Sequence, residues 1–416
     1  MTTQTKTTWR TVRLGDVIEK PLGGDWGQDQ PDNEFSQEVY AIRGTDFSAL
    51  QAGDFSSVRT RYVKKSSMEK RQLKAGDIVM EISGGSKGQP VGRTFLITAD
   101  TLAKAEKLLI YSNFCRRIRA SKANDPYYLY YQLQKFYSSP EVLSFQTQST
   151  GISNFHFTAF TEHKQIPQPE LSTQKEIGRV LVVFDEKIEN NNRIIKTLEE
   201  MAQAIFKEWF VKLRFPGYEK VEFVDSELGE IPKGWEVKGV LDVVERISVG
   251  KKFENKTALP NGKVPILDQG QSGFIGYHNE EPGVMASTDK PVIVFTNHTC
   301  YYRLVTYPFS AIQNVLPYVG ANGYPTLFVY YLTKDKIKMQ EYKGHWPEFE
   351  QQEFVVAPPT LAEEYTNFIR PMVQEMVEAE NENQKLAAMR DLLLPRLMSG
   401  EVRVLILNKA NNSINC

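Results

Sequence analysis

The sequence lacks most of what would mark it as a membrane protein, a secreted protein or an enzyme. No apolar run approaches the roughly 18 residues of a membrane-spanning helix, and the opening MTTQTKTTWR has no apolar signal-peptide core. There are three cysteines, Cys115, Cys300 and Cys416, too scattered for a disulfide framework or a metal cage. The five histidines (His156, His163, His278, His298, His345) show no ligand spacing, so no metal site is expected. No Asn-Pro-Pro-Tyr-like motif for amino methylation of a base is present, and no Gly-rich cofactor loop follows a strand. The stretch GGSKG, Gly84–Gly88, lacks the spacing and ending of a phosphate loop. No pair of carboxylates is set apart for acid–base or two-metal chemistry. The expectation is a non-catalytic chain with no cofactor of its own. A strong charge of either sign is also missing: the net charge is −1, with 22 Lys+Arg against 18 Asp+Glu in residues 1–170 and 14 against 18 in residues 215–359. If the chain grips a nucleic acid, local clusters must do it, or a partner must supply the rest of the positive field.

What the chain does contain is a repeated beginning. TTWRTVRLGDVI, Thr7–Ile18, returns as the pattern of DSELGEIPKGWEVKGVLDVV, Asp225–Val244. In each, a Trp (Trp9, Trp235) precedes Leu14 or Val240, then Asp16 or Asp242, then Val17 or Val243. At 416 residues the chain calls for two or three domains. Short β-branched and aromatic runs punctuated by Gly, Asp, Ser and Asn fill the region up to about Pro169, and a second such block runs from Trp235 to Pro359.

A helical stretch follows each block. Ile177, Phe184, Asn191, Leu198 and Ile205 recur every seven residues, as do Leu181, Ile188, Ile195, Ala202 and Trp209. In the second stretch one series is Ile369, Met376, Asn383 and Leu397, interrupted by Arg390, and the other is Met372, Ala379, Leu386 and Leu393. Each pair of series makes an apolar seam. Such a seam is also that of a plain dimerisation helix, but two seams in one chain can pair with each other. An antiparallel pairing that sets Asn191 against Asn383 also sets Ile177 on Leu397, Leu181 on Leu393 and Ile205 on Ile369, and polar seam residues are a known means of fixing register.

These residues resemble the specificity subunits of type I restriction–modification systems. The resemblance covers nearly the whole chain and rests on DSELGEIPKGWEV (Asp225–Val237), LEEMAQAIFKEWFV (Leu198–Val211) and LLLPRLMSGEVRV (Leu392–Val404). GQSGFIGYHNEE (Gly270–Glu281), QSTGISNF (Gln148–Phe155) and LKAGDIVME (Leu73–Glu81) support it. It implies an α+β fold: two β-rich target-recognition domains separated by two long antiparallel helices, an intramolecular coiled coil with pseudo-two-fold duplication. The expected limits are 1–170 for the first recognition domain, 171–214 for the first spacer helix and 215–359 for a linker and the second recognition domain. The second spacer helix takes 360–400 and a tail 401–416. It further implies a cytoplasmic bacterial or archaeal protein of phage defence that reads a bipartite, asymmetric target in double-stranded DNA. Two methyltransferase subunits would dock on it and carry the S-adenosylmethionine, with restriction and translocation subunits joining through them. Where the first domain has STGISNF, the second has KGHWPEFEQ, Lys343–Gln351.

Base edges are read by Arg, Lys, Asn, Gln and Ser/Thr, and phosphates are held by Lys, Arg and small polar groups. In the first domain the candidates are Arg59, Arg61, Lys64, Lys65, Ser83, Lys87, Gln148, Ser149, Thr150, Ser153 and Asn154, with a further basic cluster at Arg116, Arg117 and Arg119. In the second they are Lys251, Lys252, Gln269, Gln271, Ser272, Tyr277 and His278, together with the stretch Thr296–Tyr302. Gly270, Gly273 and Gly276 would let backbone approach a ligand, although turn geometry explains such glycines equally well. Any one of the basic residues is also an ordinary solvated charge. Only one of Trp209 and Phe210, and one of Leu397 and Met398, lies in a seam, which leaves Phe210 and Met398 for a partner or for the base of their own domain. Two rival functions remain at this level: a single-chain DNA methyltransferase or nuclease, and a coiled-coil adaptor that binds only protein.

The seams generate a first prediction. A helix of about 40 residues spans roughly 60 Å and would act as a ruler between the two half-sites. Inserting one heptad after Ile195 and another after Ala379 keeps the seam in phase and adds about 10 Å, or about three base pairs. The spacer of the methylated motif in cells carrying the insertion should lengthen. Methylation at the original spacing would show that the helices are not the ruler.

Overall fold

The computed structural model describes residues 9–84, 89–149, 152–270, 273–339, 341 and 343–404. They form an α+β protein of two compact units. One unit comprises Met1–Arg193 with Glu382–Cys416, and the other is Ile194–Asn381.

The repeated beginning has the same structure both times. In the first unit Thr11–Arg13 pairs antiparallel with Gln165–Pro167 and runs into a 3-10 turn at Leu14–Asp16. In the second, Glu236–Gly239 pairs antiparallel with Glu353–Val356 and runs into a 3-10 turn at Val240–Asp242. The repeated apolar positions Leu14, Val17, Val240 and Val243 are the buried anchors of these turns.

The correspondence continues through the sheets. A four-stranded antiparallel sheet has the order Leu22–Gly23, Cys115–Arg119, Asp77–Glu81, Thr94–Leu96 in the first unit. In the second it is Val244–Arg246, Val315–Gly320, Val292–Thr296, Tyr302–Val305. A three-stranded mixed sheet follows the same rule: Gln37–Ile42 lies between antiparallel Arg59–Val63 and parallel Leu109–Tyr111, and Val264–Leu267 between antiparallel Phe274–His278 and parallel Ser310–Ala311. The central strands Asp77–Glu81 and Val292–Thr296 are buried throughout, as strands covered on both faces must be. The helices Pro126–Tyr137 and Thr326–Thr333 occupy equivalent places in the chain.

The long helices are Leu171–Phe206 and Pro359–Ser399. Each unit contains a stretch of both, running antiparallel. In the first unit Ile177 and Leu181 share a core with Leu393, Leu397 and Met398. In the second, Ile195, Leu198, Ala202 and Ile205 share one with Ile369, Met372, Val373 and Met376.

The register expected through Asn191 and Asn383 is found, but the two side chains do not bond each other. Asn191, fully buried, donates to Glu382 at 2.6 Å, and Asn383 donates to Asn192 at 2.8 Å. Arg390, which breaks the apolar series, donates to Asp185 on the facing helix at 2.5 Å, and the same carboxylate accepts from the Tyr131 hydroxyl. The interruption is therefore an ion pair that repeats the register constraint.

Gly178, the lone glycine of the first seam, lies where a Cβ would sit 2.8 Å from both the Asp125 carboxylate and the Tyr127 Cβ. The missing side chain lets the long helix lie against the N-terminus of Pro126–Tyr137, where Asp125 caps the Tyr128 amide.

One boundary and two side chains differ from expectation. The first helix is α-helical only to Phe206 and continues as a π turn, Lys207–Val211. That wider turn presents both Phe206 and Phe210 to the core, their rings 5.0 Å apart. Phe210 is buried against Phe328, Tyr365 and Trp235. Met398 is fully buried in the core of the first unit. Neither side chain is open to a partner, so their assignment as docking residues is corrected: the bases of their own domains claim them. Phe210→Ala should accordingly cost about 3–5 kcal/mol of stability through the cavity it leaves. A melting temperature within a degree of the parent would contradict the packing described.

Candidate nucleic-acid interface

In the first unit the structure brings two of the candidate stretches together. Gln146–Ser149 and Ile152–Phe155 form an antiparallel ribbon, and Ser83–Gly84 adds to it as a third strand, with Ser83 opposite Asn154 and Gly84 opposite Ser153. The Ser83 hydroxyl donates to the Asn154 amide oxygen at 2.8 Å. Strand alternation then sorts the residues. Ser153 and Phe155 are buried, while Ile152 and Asn154 are exposed. Ser153 is thus corrected from reader to anchor.

The inner face holds the ribbon rigidly. The Phe155 ring sits 5.1 Å from Phe160 and 6.3 Å from Phe136, and the Gln146 side chain accepts from the Val91 amide at 3.1 Å. The Phe155 amide donates to the Ile82 carbonyl, and the Ile82 amide to the Phe114 carbonyl, both at 2.8 Å. Beneath the Ser83 strand, Glu81 is buried and receives both arms of the Arg93 guanidinium at 2.8 and 2.9 Å, which raises the arginine pKa through the hydrogen bond. Gln148 and Ser149 belong to the ribbon by backbone. Lys87 and Thr150 lie outside the described residues.

The basic stretch after Ser57 divides. Arg59 and Lys65 are exposed, the latter at the start of the helix Lys65–Arg71. Lys64 is exposed, ion-paired with Glu34, and its pKa is raised by that hydrogen bond. Arg61 is buried, contrary to expectation. It lies 4.6 Å over the Trp26 ring, donates to the Trp26 carbonyl at 2.8 Å and to the Gly27 carbonyl at 3.2 Å, and pairs with Asp29. Its donors are spent on positioning the Trp26 segment, so it is corrected to a structural role. Of the other arginines, Arg117 is buried and donates to the Lys70 carbonyl at 3.2 Å. Arg119 is held by Asp77 at 2.6 Å, and Arg116 is half-buried. None of the three forms a free cationic patch.

In the second unit the three candidate stretches converge. Gln269 accepts from the His298 amide at 3.2 Å, and its carbonyl accepts from the Thr299 hydroxyl. Arg303 donates to the Gly273 carbonyl at 2.8 Å and to the Asp268 carbonyl at 3.1 Å, clasping the turn. His278 stacks on Phe253 at 4.1 Å and its Nδ1 accepts from the Glu280 amide at 3.1 Å. Burial lowers its pKa, and the stacked, inward-facing ring is corrected from reader to packing residue.

Lys251 is exposed but paired with Glu280 at 2.6 Å, and Lys252 is exposed. Tyr277 is half-buried beside the exposed ring of Phe274, 5.6 Å away. Gln271 and Ser272 lie outside the described residues. The glycines serve the chain itself: a Cβ on Gly276, at φ +148°, would meet the Leu259 carbonyl oxygen at 2.6 Å, and one on Gly273 would meet Arg303 at the same distance. In place of the first unit's ribbon, the second has the short helix Trp346–Glu350, entered through buried His345, whose Nδ1 lies 2.9 Å from Glu348.

Reading the sequence did not single out Trp26, nor, within the candidate stretch Gln146–His156, Thr147 and Ile152. The signal available for the last two was the period-two alternation of Ile-Ser-Asn-Phe, in which Phe155 fixes the inward face and places Ile152 outward with Asn154. Among the described residues no group of three or more His, Cys, Asp or Glu side chains is arranged to hold a metal ion, and no helix is long and apolar enough to cross a membrane.

The Type I restriction modification DNA specificity domain matches residues 6–200 of this chain. The specificity subunit of type I restriction enzyme MjaIX from Methanocaldococcus jannaschii is 27% identical over 266 residues, covering 58% of this chain and 61% of that protein. That of MjaVIII, from the same organism, is 30% identical over 266 residues, covering 64% and 56%. The matched part is thus about three fifths of the length of these curated relatives. The crystal structure of a type I restriction–modification S subunit from M. genitalium superposes with a TM-score of 0.54 at 14% identity, over 96% of this chain and 98% of that one, a likeness of fold. Residues 6–200 thus match the Type I restriction modification DNA specificity domain, and the chain is similar to type I specificity subunits over about three fifths of their length.

Proposed function

We propose that this chain is the sequence-reading, non-catalytic subunit of a type I restriction–modification complex. Each unit reads one half of a bipartite, asymmetric target in double-stranded DNA. The observation that carries this reading is the repetition of one strand order in two units whose exposed loops differ in chemistry. A duplicated frame with divergent loops suits recognition of two unlike sequences. The first unit offers a ribbon of uncharged residues and, on other elements, exposed Arg59 and Lys65. The second offers a Gln269 turn beside exposed Phe274 and Lys252.

Two methyltransferase subunits are the proposed partners, bringing S-adenosylmethionine and most of the positive field. Restriction and translocation subunits assemble through them, in the cytoplasm. The net charge of −1 supports this division of labour, because the chain alone has little to offset phosphate charge. Purified alone, it should show no cofactor-dependent methylation of DNA, and turnover would return the enzyme reading.

Modularity is the decisive test. Exchanging residues 8–168 or 234–358 for those of a relative should change one half of the methylated motif in cells and leave the other half intact. A single exchange that altered both halves would contradict the two-reader layout. Partner dependence gives a second test. Adding the methyltransferase subunits should tighten DNA binding and steepen its salt dependence by about 0.9 in log–log slope for each further phosphate neutralised. Equal slopes with and without them would refute the proposed role of the partner.

A further inference from the structure

The outer face of the first unit's ribbon has a composition that the proposed function does not by itself explain. Antiparallel register places Thr147 opposite Asn154, and Asn154 opposite Ser83, so these three form one rung across three strands. Thr147 and Asn154 are exposed and Ser83 is half-buried. Two residues before Asn154 on the same strand, and therefore on the same face, Ile152 is 53% exposed. About half of this aliphatic residue is therefore presented to solvent on the same face as the Asn154 amide. The inner face already has its apolar anchor in Phe155. The surrounding chain is neutral as well: no Asp, Glu, Lys or Arg occurs between Glu141 and Glu162. Among the described residues, the outer face of the two strands Gln146–Ser149 and Ile152–Phe155 carries neither a carboxylate to repel phosphates nor a cation to attract them. Its chemistry fits base edges.

We propose that this ribbon enters the major groove and reads A·T pairs, Asn154 pairing with an adenine edge and Ile152 packing on a thymine methyl. The inference rests on the DNA-reading assignment above and deepens it. The major groove is about 12 Å wide and admits a two-stranded ribbon; adenine presents there an acceptor and a donor that match an Asn amide, and thymine is the base that presents a methyl group. The Ser83 hydroxyl, donating to the Asn154 oxygen at 2.8 Å, holds the amide plane upright and leaves that oxygen a second lone pair for the adenine amino group. Ser83 is thus a positioning residue. Asn154 and Ile152 are two residues apart on one strand, about 6.6 Å, which is about the rise of two base pairs. The adenine and the thymine they read lie within two base steps of each other.

The test uses the full chain assembled with its methyltransferase subunits and a random-sequence duplex library. Selection and sequencing yield the preferred motif, and each thymine of the enriched duplex is then replaced by deoxyuridine, which removes only the methyl group. One thymine should show about a fourfold loss of affinity on replacement, the value of one buried methyl. Ile152→Ser should bind the thymine and uracil duplexes alike. Asn154→Ala should lose about tenfold or more of its preference for adenine at a position within two base pairs of that thymine. Ser83→Ala should weaken the same adenine preference and leave the methyl effect intact.

Both probed side chains are exposed, so unchanged thermal transitions are expected, and the uracil substitution requires no change in the protein. If no thymine responds, or if Ile152→Ser retains the full methyl effect, the ribbon does not read the groove. A shared loss of affinity for every duplex in the Asn154 variant, without a change in preference, would equally overturn the assignment. A library that enriches no motif would remove the DNA-reading function itself, a failure distinct from these.

Discussion

Ile177 and Leu181 on one long helix, and Leu397 and Met398 on the other, are sealed into the same core as Phe160, Ile166 and Val12. The first β-rich body is therefore incomplete until a segment from the far end of the chain returns to it. Everything else follows from that closure. The Asn191–Glu382, Asn383–Asn192 and Arg390–Asp185 bonds fix where the returning helix comes to rest. Gly178 sets how closely the outgoing helix lies on the Asp125 cap. Because Asn191 is buried, a shift in helix register would strand an amide without a partner, a larger penalty than the hydrogen bond is worth when made.

The same closure operates within the second unit, which is continuous in sequence. There the Tyr365 hydroxyl donates to the Ala202 carbonyl at 3.0 Å, and Phe206, Phe210 and Phe328 fill the space around it. Glu199 accepts from the Tyr331 hydroxyl at 2.9 Å and pairs with Lys334. The first unit has a comparable contact where Lys104 reaches Glu189 at 2.7 Å. In each unit a side chain on the long helix is clasped by polar groups from the β-rich body as well as by apolar packing.

Much of this architecture was legible in the residues. The heptad series exposed the helices and their register, because a seam has a period that survives one polar interruption. The repeated Trp–Leu/Val–Asp–Val pattern exposed the duplication, because each copy builds the same turn. What was not legible depended on partners remote in sequence. Arg61 and His278 look like surface readers until Trp26 and Phe253 are seen beneath them. Phe210 and Met398 look spare beside a strict seam, but a π turn and a domain base absorb them. Arg390 read as a flaw in the series and is an ion pair. The candidate site was legible as a set of polar loops. Which of their side chains faces outward was decided by strand register, and register is a property of the pairing rather than of either strand.

The outer rung of the first ribbon is decoupled from the fold that carries it. Thr147, Asn154 and Ile152 contribute exposed side chains, while Phe155 and Gln146 on the opposite face do the anchoring. Substitution on the outer face leaves the aromatic cluster and the strand pairing untouched. Surface changes of that kind typically alter stability by less than about 0.5 kcal/mol. Variation there is nearly free of folding cost, so a lineage under pressure to change what it recognises can explore many side chains without passing through an unfolded intermediate.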